Sequence, residues 1–340
     1  MILNHVLGIL VPVAVSIASA YVMLSWWIKV APILGFLGKD MNKPGHPLVV
    51  EAGGLWVVLA FVFGIMSYVA LDTYIDASHD TVPLLAVCLT VLLAGLLGFI
   101  DDLLGWKKGV NPVKRVLLTV PIALPLVVVK AGYTVVEIPF IGPVDLGVFY
   151  PLVVVPIGVL GASNAFNMIA GYNGLEALQG VVLMVFATVL MLLRGNTDFL
   201  YLAMPVVSSI ALFYLLYNRY PARMFPGNSF TYGVGSLYAS LAIYWSFEKY
   251  AVLSFALYFV ELLLFIRGLL NGVYKENFGL VLDDGSLLPP YSKSYSITHV
   301  AIKVVRTIKK KCYERDVVRF VVALQVLVCL LGILVTVFLL

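Results

Sequence analysis

Two neighbouring carboxylates follow an apolar stretch of the sequence. In LLGFIDDLLGWKKG (96–109), Asp101 and Asp102 come directly after a run that is long enough to lie in a membrane. Adjacent like charges repel each other, so some interaction should compensate for placing them together. A carboxylate pair at a membrane surface suits a divalent cation, or a base that removes a proton from an acidic substrate. Asp101 and Asp102 are therefore candidate catalytic residues.

Amide side chains form a second polar cluster, in GASNAFNMIAGYNGLEALQG, which also contains Glu176. Such amides are costly in lipid unless they cap helices or bind a polar group. A turn explains Asn173, which precedes a glycine, since Asn-Gly is a common turn pair. It does not explain Asn167, which lies before the turn, so Asn167 is a candidate ligand residue.

Two other loops combine polar residues with glycine. GKDMNKPGHPLVVEAGG (38–54) contains Lys43 and Glu51 and ends in a Gly-Gly pair, which lets the backbone approach a ligand closely. NRYPARMFPGNSFTYGVGS (218–236) contains Asn228. Asn228 or the serine after it could cap the next helix, whose N-terminal amides would favour an anion. The first loop could also be a solvated connection, and in the second the capping and binding roles are compatible.

The composition is that of an integral membrane protein. Of the 340 residues, 62% are hydrophobic and 12% are charged, whereas soluble domains are about 45–50% apolar and about 25% charged. The sequence predicts an all-α polytopic membrane protein with one domain over residues 1–340, short β-hairpins in its loops and no nucleic-acid partner. Ten spans are expected, at 5–28, 48–71, 81–100, 115–130, 150–166, 175–193, 198–217, 230–247, 250–271 and 317–340.

Three loop segments have regular patterns. GYTVVEIPFIGPVDLG alternates like a β-hairpin that turns at Gly142 and Pro143, and LVLDDGSLLPPYSKSYS is expected to turn at Asp284 and Gly285. SITHVAIKVVRTIKKKCYERDVVRF (296–320) has the pattern of a basic amphipathic helix at the membrane surface.

Basic residues predict the orientation of the spans. Nineteen of the 22 lysines and arginines fall in the loops after spans 1, 3, 7 and 9. The other three are Lys130, Arg194 and Lys249. Because cytoplasmic loops are enriched in Lys and Arg, the odd-numbered loops are expected in the cytoplasm and both termini outside. The polar clusters then meet at one cytoplasmic face, which should bind a soluble anion and a lipid anion together.

Five stretches resemble the motifs of a known family: KDMNKPGHPLVVEAGG, GFIDDLLG, NAFNMIAGYNGLEA, PGNSFTYGVGSL and DDGSLLPPYSKSYS. The chain resembles the polyprenyl-phosphate N-acetylhexosamine-1-phosphate transferases, the family that includes the bacterial phospho-MurNAc-pentapeptide translocase. Within this family it is most similar to the eukaryotic and archaeal UDP-N-acetylglucosamine:dolichyl-phosphate N-acetylglucosamine-phosphotransferase type. The third stretch is the most specific.

The resemblance implies a membrane enzyme with ten transmembrane helices that needs Mg²⁺, or else Mn²⁺. Such enzymes transfer a sugar 1-phosphate from a UDP-sugar to a polyprenyl phosphate and release UMP. The expected product is N-acetylglucosamine-diphosphate lipid, the first lipid-linked intermediate of a pathway such as N-glycosylation. The membrane would be an archaeal cell membrane or the endoplasmic reticulum, and the short chain favours the archaeal one. The resemblance leaves the oligomeric state undecided, with a homodimer as one alternative.

The resemblance also implies roles for the carboxylate pair and the amides. Asp102, with Asp101 beside it, would orient or deprotonate the lipid phosphate, and the amide oxygen of Asn167 would bind Mg²⁺. Asn228 stands where the family commonly has an aspartate metal ligand. An amide oxygen can still bind Mg²⁺, but with one negative charge fewer.

Other positions would contact the substrates. Lys114 or Arg115 could contact phosphate, in a loop whose length makes the alignment ambiguous. The expected substrate-binding residues are Lys43, Glu51, Asn173, Glu176 and His299. The last loop lacks the His-rich or Arg-His-Arg cluster of relatives and offers VYKENFG and an isolated histidine instead. The choice of sugar is therefore open.

An ion-coupled transporter of a small anionic solute is the main alternative, because broken helices and intramembrane polar residues also mark transport paths. A transporter predicts polar residues near mid-membrane and repeat symmetry, whereas the polar clusters lie at one boundary. A CDP-alcohol phosphotransferase would need a spaced Asp and Gly motif on one helix, and the sequence lacks it.

Overall fold

The computed structural model describes residues 2–76, 81–104, 120–138 and 142–338. The fold is all-α with small antiparallel hairpins, as expected. Seven of the described helices are long and apolar enough to cross a membrane, or eight if one bent pair counts as a single span. The protein is thus an integral membrane protein with several apolar spans.

The helices of the described residues are numbered in chain order. They are α1 (Ile2–Val30), α2 (Gly54–Leu71), α3 (Thr81–Leu104), α4 (Leu124–Val128), α5 (Val155–Met168), α6 (Leu175–Leu193), α7 (Phe199–Phe213), α8 (Gly227–Tyr244), α9 (Glu248–Ser254), α10 (Ala256–Leu270), α11 (Ile297–Lys309) and α12 (Glu314–Phe338). Helices α9 and α10 are the bent pair, with a 51° change of direction.

Three of the ten expected spans differ from simple apolar helices. The fourth, 115–130, begins outside the described residues, and its described part is a short 3₁₀ turn followed by α4. The eighth corresponds to α8, which is not among the seven apolar spans. The ninth corresponds to the bent pair α9 and α10.

Helix α8 lies at the centre of the fold, where every residue from Ser229 to Ile243 is buried. Small residues allow its neighbours to approach closely. A Cβ atom on Gly235 would lie 2.6 Å from the carbonyl oxygen of Ala162 on α5, and one on Gly98 of α3 would lie 2.4 Å from the carbonyl oxygen of Asn228. Such small-residue contacts are typical of helix packing in membranes.

Three two-stranded hairpins lie between helices. β1 (Leu37–Lys39) pairs with β2 (Leu48–Val50), β3 (Val135–Ile138) with β4 (Gly142–Asp145), and β5 (Leu280–Val281) with β6 (Leu287–Leu288). The hairpin expected at 132–147 is present, but a turn at Gly142 and Pro143 is wrong. Gly142 pairs with Ile138, and Pro143 pairs with Glu137. Gly142 and Pro143 therefore lie in β4, after the connection between the two strands.

The hairpin expected around Asp284 and Gly285 is confirmed, with both residues between β5 and β6. The basic amphipathic helix is also present as α11, but it ends at Lys309 and not near residue 320. Lys310 has a φ of 65°, which a continuing right-handed helix cannot accommodate. The next helix, α12, begins at Glu314.

Candidate functional site

A cleft of about 1590 Å³ with both polar and apolar lining residues lies where α3, α5 and α8 meet the first and last loops. Its acidic lining residues are Asp40, Glu51, Asp101, Asp102, Glu176 and Glu276. Its asparagines are Asn164, Asn167, Asn228 and Asn277. Among the described residues, its lysines are Lys39 and Lys275. The cleft therefore brings together side chains from distant parts of the chain.

Asp102 caps helix α8. Its two carboxylate oxygens accept hydrogen bonds from the backbone N–H groups of Asn228, at 2.7 Å, and Ser229, at 3.1 Å. An acidic side chain at a helix N-terminus satisfies free N–H groups and interacts favourably with the helix dipole. Asp102 thus joins the end of α3 to the start of α8.

Gly227 makes this junction possible. Its φ is +72°, and a Cβ atom there would lie 2.5 Å from Oδ2 of Asp102. A side chain would therefore be strained by its backbone conformation and would collide with the carboxylate. The glycine in PGNSF lets the helix begin directly against Asp102.

Three side chains form a hydrogen-bonded chain beside Asp102. Nδ2 of Asn167 donates to Oδ1 of Asn228 at 2.6 Å, and Nδ2 of Asn228 donates to Oδ2 of Asp101 at 2.9 Å. The four residues from α3, α5 and α8, named here the carboxylate–amide cluster, are Asp101, Asp102, Asn167 and Asn228. The structure thus brings together both expected catalytic aspartates and both expected metal ligands, whose roles remain predictions.

Lys43 and Asn173 lie next to the cleft in a network with two acids. Nζ of Lys43 contacts Asp40, Oδ1 of Asn173 and, at 3.2 Å, Oε2 of Glu314. The backbone N–H of Asn173 donates to Oε1 of Glu314 at 2.7 Å, and its side-chain amide donates to Asp40 at 3.1 Å. Neither Lys43 nor Asn173 is among the lining residues, whereas Asp40 is.

The ring of Tyr220 covers this network. Nζ of Lys43 lies 4.7 Å from the ring centroid, and the guanidinium carbon of Arg315 lies 4.4 Å from it. Both distances are within the range of cation–π attraction. The network therefore ties the first loop to the start of α12.

Glu51 and Glu176 both line the cleft. Burial raises the pKa of Glu51, whose side chain lies against Gly38 in the first hairpin. Oε1 of Glu176 accepts a hydrogen bond from the backbone N–H of Gly171 at 2.8 Å. Its Oε2 is buried and has no hydrogen-bond partner among the described residues. An unpaired buried oxygen is costly, so a donor from a ligand or water should reach it.

His299 lies behind the cleft wall and is fully buried. Its Nδ1 accepts from the backbone N–H of Tyr295 at 3.3 Å, so Nε2 carries the proton and donates to the carbonyl oxygen of Glu276 at 2.8 Å. Burial lowers the pKa of His299 to about 4. The neutral histidine thus supports the backbone of the VYKENFG loop, and its expected substrate contact stays a prediction.

Two expected phosphate contacts, Lys114 and Arg115, lie outside the described residues and stay predictions. Sequence reasoning missed three residues: Lys275 and Asn277, which line the cleft, and Glu261, which contacts Lys275. Glu261 is the one acidic residue in the apolar run 250–271, and a carboxylate in such a run is a signal of function. Burial lowers the pKa of Lys275, while the adjacent Glu261 opposes this effect.

Fold and site together define a polytopic membrane protein whose cleft, lined by carboxylates and amides, opens among apolar helices. The family model described as Glycosyl transferase family 4 matches residues 84–246, which include all four residues of the carboxylate–amide cluster. A protein of Saccharolobus solfataricus with the provisional name UDP-N-acetylglucosamine–dolichyl-phosphate N-acetylglucosaminephosphotransferase is 32% identical over 89% of this chain and 90% of its own length. The chain belongs to glycosyl transferase family 4.

Other relatives extend the comparison. A Sulfolobus acidocaldarius protein with the same provisional name is 30% identical over 97% of each chain. The phospho-N-acetylmuramoyl-pentapeptide-transferase of Petrotoga mobilis is 30% identical over 66% of this chain and 69% of its own length. The resemblance inferred from the sequence motifs is thus confirmed at the level of the family.

Proposed function

We propose that the protein transfers N-acetylhexosamine 1-phosphate, with N-acetylglucosamine as the favoured sugar, from a UDP-sugar to a polyprenyl phosphate and releases UMP. One observation carries this proposal: the carboxylate–amide cluster lies in a cleft that exposed leucines of the apolar helices also line. The names of the two archaeal relatives support N-acetylglucosamine as the sugar and dolichyl phosphate as the lipid.

The cleft offers surfaces for two different substrates. Leu103 and Leu262 line it and are 52% and 40% exposed. Because their helices are apolar, these leucines would face lipid and accept the chain of a polyprenyl phosphate. Lys39, in the first hairpin, lines the same cleft and would attract the diphosphate of a sugar nucleotide.

The proposed reaction exchanges one phosphate–oxygen bond for another. An oxygen of the lipid phosphate attacks the phosphorus next to the sugar and forms a new P–O–P bond. The bond from this phosphorus to the bridging oxygen breaks, and UMP leaves with that oxygen. Asp101 and Asp102 orient the lipid phosphate, and one of them accepts its proton. The bond at the sugar's anomeric carbon stays intact.

The chemistry of the donor set fits Mg²⁺, which prefers oxygen ligands. Within the described ranges, no group of three or more His, Cys, Asp and Glu residues could hold a metal. Amide oxygens are therefore needed, and Asn167 and Asn228 would supply them beside Asp101. When bound, the ion would offset the negative charge that gathers where the phosphates meet.

Asn228→Asp tests this metal site without an activity assay. A carboxylate in place of the amide adds one negative charge next to Asp101 and Asp102. We expect the variant to unfold at a lower temperature than the wild type without Mg²⁺ and to gain more stability when Mg²⁺ is added. Equal gains in both proteins would contradict a site at Asn228.

The distribution of Lys and Arg among the loops supports a cleft at the cytoplasmic side of the membrane, and this location is part of the proposal. There the enzyme would meet UDP-sugars and make the first lipid-linked sugar of a glycan pathway such as N-glycosylation. The two archaeal relatives match 89% and 97% of this chain, and they support an archaeal cell membrane as the location.

UMP release tests the proposed function. Purified wild-type protein in detergent is mixed with UDP-N-acetylglucosamine, a short polyprenyl phosphate and Mg²⁺ or Mn²⁺. The Asp101→Asn, Asp102→Asn and Asn167→Ala variants are assayed in parallel. Release should need both lipid and metal and fall at least about 100-fold in each variant. No release by folded wild-type protein with any UDP-N-acetylhexosamine would reject the proposal.

A further inference from the structure

A fully buried carboxylate in α10, Glu261, contacts two segments of the last loop, one at Lys275 and one at Ser296. Glu261 has no exposed surface. Its Oε1 contacts Nζ of Lys275, and its Oε2 accepts hydrogen bonds from the backbone N–H of Ile297 at 2.7 Å and from Oγ of Ser296 at 3.1 Å. A buried ion pair is expensive to desolvate, and a positional task would account for this one.

The same ammonium group reaches the C-terminal end of α5. Nζ of Lys275 lies 3.4 Å from the carbonyl oxygen of Met168 and donates to Oδ1 of Asn277 at 2.6 Å. The side-chain amide of Asn277 donates to the carbonyl oxygens of Met168, at 3.0 Å, and Ala170, at 2.7 Å. The last carbonyls of a helix lack partners within it, and a nearby cation favours them.

The Lys275 side chain is 5% exposed, and three acceptors surround its three N–H donors. Its ammonium group therefore has no N–H donor to spare for a phosphate, although Lys275 lines the cleft. The residue before Met168 is Asn167, whose side chain belongs to the carboxylate–amide cluster. The contacts of Lys275 and Asn277 thus end one residue away from that cluster.

We propose that Glu261, Lys275 and Asn277 form a clamp that fixes the end of α5 and thereby positions Asn167 in the cleft. The clamp residues are positioning residues for the transfer reaction, and this part rests on the proposed function. A misplacement of about 1 Å can cost about 100-fold in rate, so a loosened helix end should be measurable.

Asn277→Ala is the first variant, because it leaves the ion pair between Glu261 and Lys275 in place. Asn271→Ala is its matched control, since Asn271 is an exposed asparagine of the same loop and does not line the cleft. Lys275→Met is a second variant that removes the ammonium group. If Lys275→Met does not fold, Asn277→Ala still tests the clamp.

Hydrogen–deuterium exchange and steady-state kinetics are measured on the whole protein in detergent. In Asn277→Ala we expect peptides covering 165–172 to exchange at least about tenfold faster, with α6 and α7 unchanged. The kcat for UMP release should fall about tenfold or more, while KM for the UDP-sugar changes less than about threefold. Asn271→Ala should behave like the wild type in both measurements.

Unchanged exchange in 165–172 would overturn the clamp. A raised KM with unchanged kcat would overturn the positioning role, because it would mean that the loop contacts substrate directly. If the wild type releases no UMP, the proposed function fails, and the positioning role in transfer fails with it. The exchange measurement still decides in that case whether the clamp fixes α5.

Discussion

At the scale of single residues, Asp101 and Asp102 are neighbours with different contacts. Both carboxylate oxygens of Asp102 accept hydrogen bonds from backbone N–H groups at the start of α8. Asp101 instead accepts a hydrogen bond from the side-chain amide of Asn228. An asparagine at position 102 keeps only one acceptor oxygen, so one N–H of α8 would lose its partner. An asparagine at position 101 can still accept from Asn228 through its amide oxygen.

We therefore expect Asp102→Asn to destabilise the protein by about 1 kcal/mol more than Asp101→Asn, the usual size of a helix-cap effect. Thermal unfolding of both variants in the same detergent, without substrates, measures the difference. A greater loss in Asp101→Asn would show that the cap contacts are not the principal structural role of this pair.

His299 should make stability depend on pH. Its folded pKa of about 4 lies below the ordinary histidine value of about 6.5. Between these values the unfolded chain binds a proton that the folded protein does not, so stability should fall as pH drops from about 6.5 to about 4. Above about pH 6.5 both states are neutral and the histidine contributes no pH dependence.

His299→Gln removes this titration, and the glutamine side chain can still donate toward the carbonyl oxygen of Glu276. We expect the pH dependence of the wild type to exceed that of the variant by up to ~3 kcal/mol over this range, at about 1.4 kcal/mol for each pKa unit. Unfolding midpoints in buffers from pH 4 to 8 provide the test. Parallel curves for both proteins would refute a buried neutral histidine.

At the scale of elements, the packing of α3 against α8 positions the carboxylate–amide cluster. Gly98 lies on α3 one turn before Asp102, and a Cβ atom on it would lie 2.4 Å from a backbone carbonyl oxygen of α8. Backbone cannot move aside as a flexible side chain can. Any larger residue at this position should therefore push the two helices apart.

Gly98→Ala is expected to destabilise the protein by about 1–3 kcal/mol, the usual cost of overpacking, and to weaken the contact between Asp102 and α8. Gly161→Ala is the control, because Gly161 is an exposed helical glycine with no atom within 4 Å of an added Cβ. The control should be neutral or stabilising, since alanine favours helix. Equal unfolding temperatures for both variants would contradict close packing of α3 on α8.

At the scale of the whole molecule, apolar length predicted most of the long helices, because the membrane imposes both length and composition. Helix α8, expected as span 230–247, is found at Gly227–Tyr244 but is not among the seven apolar spans, since a helix surrounded by protein need not be apolar and its small residues serve packing. The turn near Gly142 was misplaced because glycine and proline permit a strand start as well as a turn. Residue types near the ends of apolar runs predicted the members of the carboxylate–amide cluster, all of which lie in helices.

The network around Lys43 could not be predicted in the same way. It joins Asp40 to Glu314, which lie at opposite ends of the sequence, and spacing along a chain gives no signal for such a contact. The clamp around Glu261 had a signal in the isolated acid of an apolar run, but its partners depend on how the last loop folds. Long-range ion pairs are therefore the part of the site that needed the structure.

The proposed orientation predicts which surfaces an impermeant thiol reagent can reach. Thr197, between α6 and α7, and Thr307, near the end of α11, are exposed residues expected on opposite sides of the membrane, and the native cysteines are buried. In intact cells, Thr197→Cys should be labelled from outside and Thr307→Cys only after the membrane is opened. The reverse pattern would place the cleft outside the cell.

The fate of the phosphorus attached to N-acetylglucosamine distinguishes transfer of the sugar 1-phosphate from transfer of the sugar alone. Protein, polyprenyl phosphate and Mg²⁺ are mixed with UDP-N-acetylglucosamine labelled with ³²P at that phosphorus, and lipid and water-soluble products are separated. We expect the label to enter the lipid and the released UMP to be unlabelled. Label that remains in water-soluble UDP while the sugar enters the lipid would show transfer of the sugar alone and would overturn the proposed function.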